Sequence, residues 1–180
     1  MNRLIIGFIA IAILGWVASA ILTAVHFWVI PLIPADANLP GSMQVITSEW
    51  AYIGPIPLAT IGAVYYIAMI ALGALWLSTK NETVEKLLLP ITGMGFLASI
   101  GFVYLQLGVI GAVCPFCMMS ATATTILFGI ELAVKFRGGA SSAPSMESSK
   151  VWPAVFATTM LLTIFAMWIL TVLPLPGGAA

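Results

Sequence analysis

Polar side chains in this sequence are confined to a few short interruptions between long apolar runs. Five runs reach the roughly 20 residues that a membrane-crossing helix needs. They lie at about residues 4–30, 55–77, 87–110, 114–134 and 152–173. None has the strict alternation of a barrel strand, and lipid cannot satisfy open backbone groups, so helices are expected. Between the first two runs, residues 31–54 form a loop. Within it, Val45, Ile46, Trp50 and Ile53 recur at near-helical spacing, with Ser42 available as an N-cap. The spacing predicts a short interfacial helix from Ser42 to Ile53, with Trp50 and Tyr52 suited to the headgroup zone. Simple anchoring at the interface accounts for the same pattern.

Composition agrees with a chain in lipid. Hydrophobic residues make up 62% and charged residues 7%, against about a quarter charged in a soluble domain. The first apolar run is too long for a secretory h-region and is read as a retained span. Zero formal net charge gives no support for nucleic-acid binding. All six basic residues, Arg3, Lys80, Lys86, Lys135, Arg137 and Lys150, fall on one side of a five-span chain. The positive-inside rule then predicts a cytoplasmic N-terminus and an extracytoplasmic C-terminus in the cell (inner) membrane. The expected organisation is an all-α integral membrane core over residues 1–136, a cytoplasmic linker over 137–151, a fifth transmembrane helix over 152–173 and an extracytoplasmic tail over 174–180.

This topology sets Cys114-Pro115-Phe116-Cys117 at the outer face, where a helix begins. The i, i+3 spacing brings both sulfurs to one helix face. Unpaired N–H groups and the positive dipole end favour a thiolate there. Pro115 suits the first turn, and disulfides persist on that side of a membrane. Three readings stay open: a redox-active dithiol, a structural bridge or inert thiols, and a metal site. The bridge would close a very small loop. The metal site is short of ligands, because only His26 could join the two thiols. A redox pair at a bilayer face would need partners, a lipid-borne quinone and a thiol protein outside the membrane being the obvious ones.

Other polar residues in the spans are candidates by default. Gln106 and Tyr104 in the third span, His26 at the outer end of the first and Ser48 in the loop are candidate quinone contacts. An interhelical hydrogen bond for Gln106, packing for Tyr104, a bonded interfacial histidine and a capping Ser48 (with Thr47) are the plainer roles. Glu131 is one turn before Lys135 and expected to pair with it. Gly93, Gly95, Ser99 and Gly101 predict close packing of the third helix.

Several motifs taken together resemble the vitamin K epoxide reductase family, specifically its bacterial homologues. They are the run from Ser42 to Ala51, then Gly54-Pro55-Ile56-Pro57-Leu58-Ala59, Gly62, Tyr65 or Tyr66, and the Cys114–Cys117 motif opening the fourth helix. The resemblance covers roughly residues 5–135, and the fifth span is similar to an extra helix of bacterial members. It implies a four-helix transmembrane bundle around a quinone, ubiquinone or menaquinone, with no metal. Cys114 and Cys117 would form the active-site disulfide, with Cys117 beside the quinone. Two electrons would pass from an extracytoplasmic thioredoxin-like or DsbA-like protein to the quinone, supporting disulfide bond formation. In many bacterial members a thioredoxin-like domain follows the fifth helix. The sequence stops at Ala180, and a separate DsbA-like partner or the removal of such a domain would both fit.

Family members also carry two loop cysteines that relay electrons to the membrane pair. Ser42 occupies one of these relay positions, and no cysteine lies near residues 34–37. Either Ser42 was introduced in place of a cysteine to trap a state, or the relay is lacking; in the second case the partner attacks the Cys114–Cys117 pair directly, or the chain is a non-catalytic membrane subunit that kept the bundle and lost the relay. A transporter fits less well, since charge in the spans is sparse and no repeat is evident.

Overall fold

A computed structural model describes residues 2–34, 41–79 and 82–136. The expected linker, fifth span and tail, together with Lys80, Arg137 and Lys150, lie outside the described residues. Four long helices dominate: α1 (Asn2–Trp28), α3 (Leu58–Thr79), α4 (Glu82–Tyr104) and α5 (Pro115–Phe136), with a short α2 (Ser42–Thr47) between the first two. With its flanking turns, each long helix is long and apolar enough to cross a membrane. The chain is an all-α membrane protein. Ile6, Leu14, Met94, Leu97 and Leu107 are exposed on the outer faces of the bundle, an arrangement suited to lipid rather than water.

Consecutive long helices run antiparallel. Gly73 of α3 lies against Phe8 of α1, and Gly62 against Ser19 further along. Phe96 of α4 stacks on Phe128 of α5 at 5.1 Å between ring centroids, while Gly95 meets Thr124. Two clusters fill the interior. The larger joins Ile5 and Phe8 to Trp76, Leu88, Leu127 and Val134. The smaller joins Leu22, Val45, Ile46, Ala112 and Cys114 at the opposite end. The start of α1, the α3–α4 connection and the end of α5 therefore share one end, and the cysteine pair occupies the other.

The loop departs from expectation in two respects. The helix stops at Thr47 instead of reaching Ile53. Ser48 is extended (φ −65°, ψ 155°), and its hydroxyl donates to the Val45 carbonyl at 2.7 Å, closing the last turn. A 3₁₀ turn (Glu49–Ala51) follows, then a two-residue strand β1 (Tyr52–Ile53) paired antiparallel with β2 (Ile56–Pro57). Gly54, at φ 62°, makes the reversal, and this pairing delays the second long helix to Leu58. Ser42 is also not the N-cap. Gly41 holds that position with φ 64° and no side-chain cap bond, and Ser42 is the first helical residue.

Glu131 does not pair with Lys135. It lies on the α5 stripe that includes Thr124, Leu127 and Val134, so it is buried with both carboxyl oxygens unbonded, whereas Lys135 is exposed. Among the small residues of α4, Gly95 is needed for close approach. A Cβ there would lie 2.6 Å from the Tyr65 hydroxyl and 2.9 Å from Thr124 Cγ2, whereas one at Gly101 would meet nothing within 4 Å.

The tightest approach in the bundle is Gly15 of α1 against the Tyr66 ring, into which a Cβ would project. Tyr66 cannot easily retreat, because its hydroxyl is bonded to α5 at Ser120 and Thr124. Gly15→Ala is expected to destabilise the bundle by about 1–3 kcal/mol, the usual cost of overpacking. Gly7→Ala, with nothing within 4 Å of the added atom among the described residues, is expected to be neutral. Thermal unfolding of the two variants in detergent micelles checks both.

Candidate active site

Cys114 ends an abrupt reversal. After Tyr104 the α4 helix widens into a π-helical turn (Leu105–Ile110), which Gly111 terminates in the left-handed region at φ 69°. Residues 111–114 then lead directly into α5. The Cys114 carbonyl accepts the Met118 N–H at 3.0 Å, which makes Cys114 the N-cap and places Pro115 at the first helical position, where no donor is lost. The Cys114 sulfur takes the part of a capping oxygen, accepting the Cys117 N–H at 3.4 Å. Both thiols are free.

The two sulfurs have different surroundings. Cys114 is 0% exposed and packs with Val45 and Ile46 of α2. Cys117 is half-buried and lines a cavity of about 620 Å³ inside the bundle. Hydrogen bonding from the Cys117 thiol holds the Cys114 thiol below the usual cysteine range. Burial opposes this, and the N–H groups of Cys117 and Phe116 and the Ser42 hydroxyl add to it. A helix N-terminus thus holds a thiolate in a site closed to water.

The cavity wall is largely apolar, with Leu22, Ile46, Ile91 and Phe102 among its lining residues. Its size falls within the ordinary range for a small-molecule site. On α5, Ser120 and Thr124 follow Cys117 along one face, and all three line the cavity. The Tyr66 hydroxyl lies 2.6 Å from the Ser120 carbonyl and 2.7 Å from Thr124 Oγ1. Two buried polar atoms on lining residues, His26 Nε2 and the Tyr65 hydroxyl, have no hydrogen-bond partner among the described residues. Hydrogen-bonding groups of this kind in a mostly apolar chamber suit an apolar small molecule with a few polar atoms.

The sequence candidates separate accordingly. His26, Ser48, Gln106 and Cys117 line the cavity. Tyr104 does not; it is 68% exposed on the outer face of α4. His26 Nδ1 lies 3.1 Å from the Leu22 carbonyl, and its ring meets Tyr52 edge-on at 5.2 Å. Gln106 is 3% exposed, and its Oε1 accepts the Cys114 N–H at 2.9 Å. Tyr65, Tyr66, Ser120 and Thr124 had no assigned role in the sequence reading. Counting helical spacing onward from Cys117 would have found the last two. Among the described residues no group of three His, Cys, Asp or Glu side chains comes together to hold a metal ion.

A family model described as "Vitamin K epoxide reductase family" matches residues 6–132, which includes every cavity-lining residue named above. The chain belongs to the vitamin K epoxide reductase family. It is accordingly a multi-pass membrane oxidoreductase of the thiol–disulfide class, in a family that is generally quinone-linked and generally paired with thioredoxin-like proteins. No curated protein matches the chain.

A thiol held below its usual range stays deprotonated to lower pH than an ordinary cysteine and is protonated as the pH falls further. Alkylation of Cys114 in the reduced protein is expected to have its pH midpoint below that of an ordinary cysteine. Ser42→Ala, which removes the smallest of the hydrogen-bond contributions, is expected to move the midpoint upward. Mass spectrometry of the alkylated peptide across pH reads both.

Proposed function

We propose that this protein oxidises an extracytoplasmic thioredoxin-like or DsbA-like dithiol protein and passes the electrons to a membrane quinone through Cys114 and Cys117. The observation that carries the reading is the division of labour between the two sulfurs. Cys114 caps a helix at one end of the bundle as a stabilised thiolate. Cys117, one turn on, opens into an apolar cavity within the spans.

The cycle begins with Cys114 and Cys117 as a disulfide. A thiolate of the partner attacks Cys114, the sulfur nearer the outer end, and the bond to Cys117 breaks. The partner's second thiol resolves the mixed disulfide, leaving the partner oxidised and Cys114 and Cys117 reduced. The hydrogen bonds at the helix N-terminus make Cys114 a good leaving group in that second step. Ser42 stands where a relay cysteine would, so the partner engages the pair directly. Because Val45 and Ile46 pack over Cys114, the partner has to displace α2 to reach it.

The dithiol then returns to the disulfide by giving up two electrons to the quinone, which is the substrate reduced. The Cys117 thiol supplies one of the two protons that accompany them, and solvent supplies the other. Cys117 faces the cavity at van der Waals range of whatever fills it. His26 Nε2 and the Tyr65 hydroxyl are unbonded groups on the cavity walls, suited to hydrogen-bond a carbonyl oxygen.

With purified chain in liposomes, a reduced thioredoxin-like protein and a quinone, wild type is expected to turn over the quinone. Cys117→Ala is expected to fall to the uncatalysed background, and a variant that kept the wild-type rate would end this reading. The proposed orientation puts Leu32, exposed beyond the outer end of α1, outside the cell. Leu32→Cys in a Cys114→Ala, Cys117→Ala background is expected to react with an impermeant maleimide on intact cells; protection until lysis would reverse the orientation.

A further inference from the structure

Gln106 bears on the reactive pair from outside the Cys-x-x-Cys motif. It sits in the π-helical turn that ends α4, and such turns recur at functional sites. Its backbone carbonyl accepts the Gly111 and Ala112 N–H groups, the latter at 3.1 Å. Its side-chain Nε2 donates to the Phe102 carbonyl at 3.4 Å. Its Oε1 accepts the Cys114 N–H at 2.9 Å, across eight residues of chain and a change of helix. One buried residue therefore ties the last turn before the reversal to the first residue after it.

We propose that Gln106 is the positioning residue of the dithiol: by taking the Cys114 N–H it fixes Cys114 as the N-cap of α5 and keeps its sulfur on the amides of the first turn. The proposal rests on the reading of Cys114 and Cys117 as the reactive pair. The sulfur-to-amide contact at 3.4 Å is long and soft, so it cannot hold the cap residue by itself. A rotation of the backbone at Cys114 would carry the sulfur off the Cys117 N–H. The bond from Gln106 opposes that rotation, because a buried N–H left without an acceptor costs about 1–3 kcal/mol. The amide has a further property. It offers a strong acceptor without a formal charge, so it anchors the residue without repelling the thiolate beside it.

The test uses the full reduced chain in lipid nanodiscs with neither quinone nor partner present, so electron transfer does not enter. Two quantities are read at Cys114: amide hydrogen exchange, resolved by NMR, and the pH midpoint of alkylation by iodoacetamide. Gln106→Met keeps the length of the side chain and removes the acceptor. It is expected to speed exchange at the Cys114 amide by at least about tenfold, the change produced by about 1.4 kcal/mol. It is also expected to move the alkylation midpoint upward by about one pH unit, a tenfold loss of thiolate below the midpoint. Gln106→Glu keeps an acceptor oxygen and is expected to retain slow exchange. Wild-type exchange and midpoint in Gln106→Met would overturn the proposal. If that variant does not fold, Gln106→Glu decides: retained protection supports the role and lost protection overturns it. A wild-type Cys114 that titrates like an ordinary thiol overturns the reactive-pair reading and this proposal with it, before any variant is made. A lowered wild-type midpoint with an unaffected Gln106→Met overturns only the role of Gln106.

Discussion

A polypeptide that crosses a bilayer must satisfy its backbone polar groups within the protein, and reversing direction between two helices is where this is hardest. At the reversal from α4 to α5 the chain does so with very few residues. The carbonyls at the end of α4 are met by a widened turn and by Gly111 in the left-handed region. The N–H groups at the start of α5 are met by a glutamine side chain, a proline that has no donor to satisfy, and a sulfur. Because the cap is a sulfur rather than a hydroxyl, the same hydrogen bonds that end the helix also stabilise a thiolate. Structural necessity and chemical reactivity share one set of contacts.

The rest of the bundle brackets that junction. Glycines at 15 and 95 let α1 and α4 approach the tyrosines of α3, and the Tyr66 hydroxyl ties α3 to α5 through Ser120 and Thr124. These contacts join the helices toward the middle of the bundle around a chamber that has Cys117 in its wall. Above Cys114, α2 contributes Val45 and Ile46 to the cluster that buries the sulfur. The pair thus has a closed side toward α2 and an open side toward the cavity. In the proposed cycle that difference lets one sulfur face each exchange partner.

Ser42 deserves its own place in this picture. It begins α2 beside Cys114 and hydrogen-bonds to that sulfur. A serine there cannot accept electrons by disulfide exchange, but its hydroxyl can support the thiolate.

The sequence by itself determined the class of the protein, its four described spans and the reactive motif. Lipid tolerates only long apolar helices, and the Cys-x-x-Cys spacing fixes which helix face carries the sulfurs whatever the surroundings. Local signals failed where long-range pairing outweighed them. Near-helical spacing through Ile53 lost to the short pairing of Tyr52 with Pro57, and the expected pair of Glu131 with Lys135 lost to burial of the α5 stripe on which Glu131 lies. Only the tertiary structure decided that Gln106 faces the Cys114 backbone while Tyr104 faces outward. A π-helical turn is invisible to a 3.6-residue period, and it reorients the residues that follow it. Tertiary structure also decided the unequal burial of Cys114 and Cys117, because that depends on α2 and the loop folding back over the bundle.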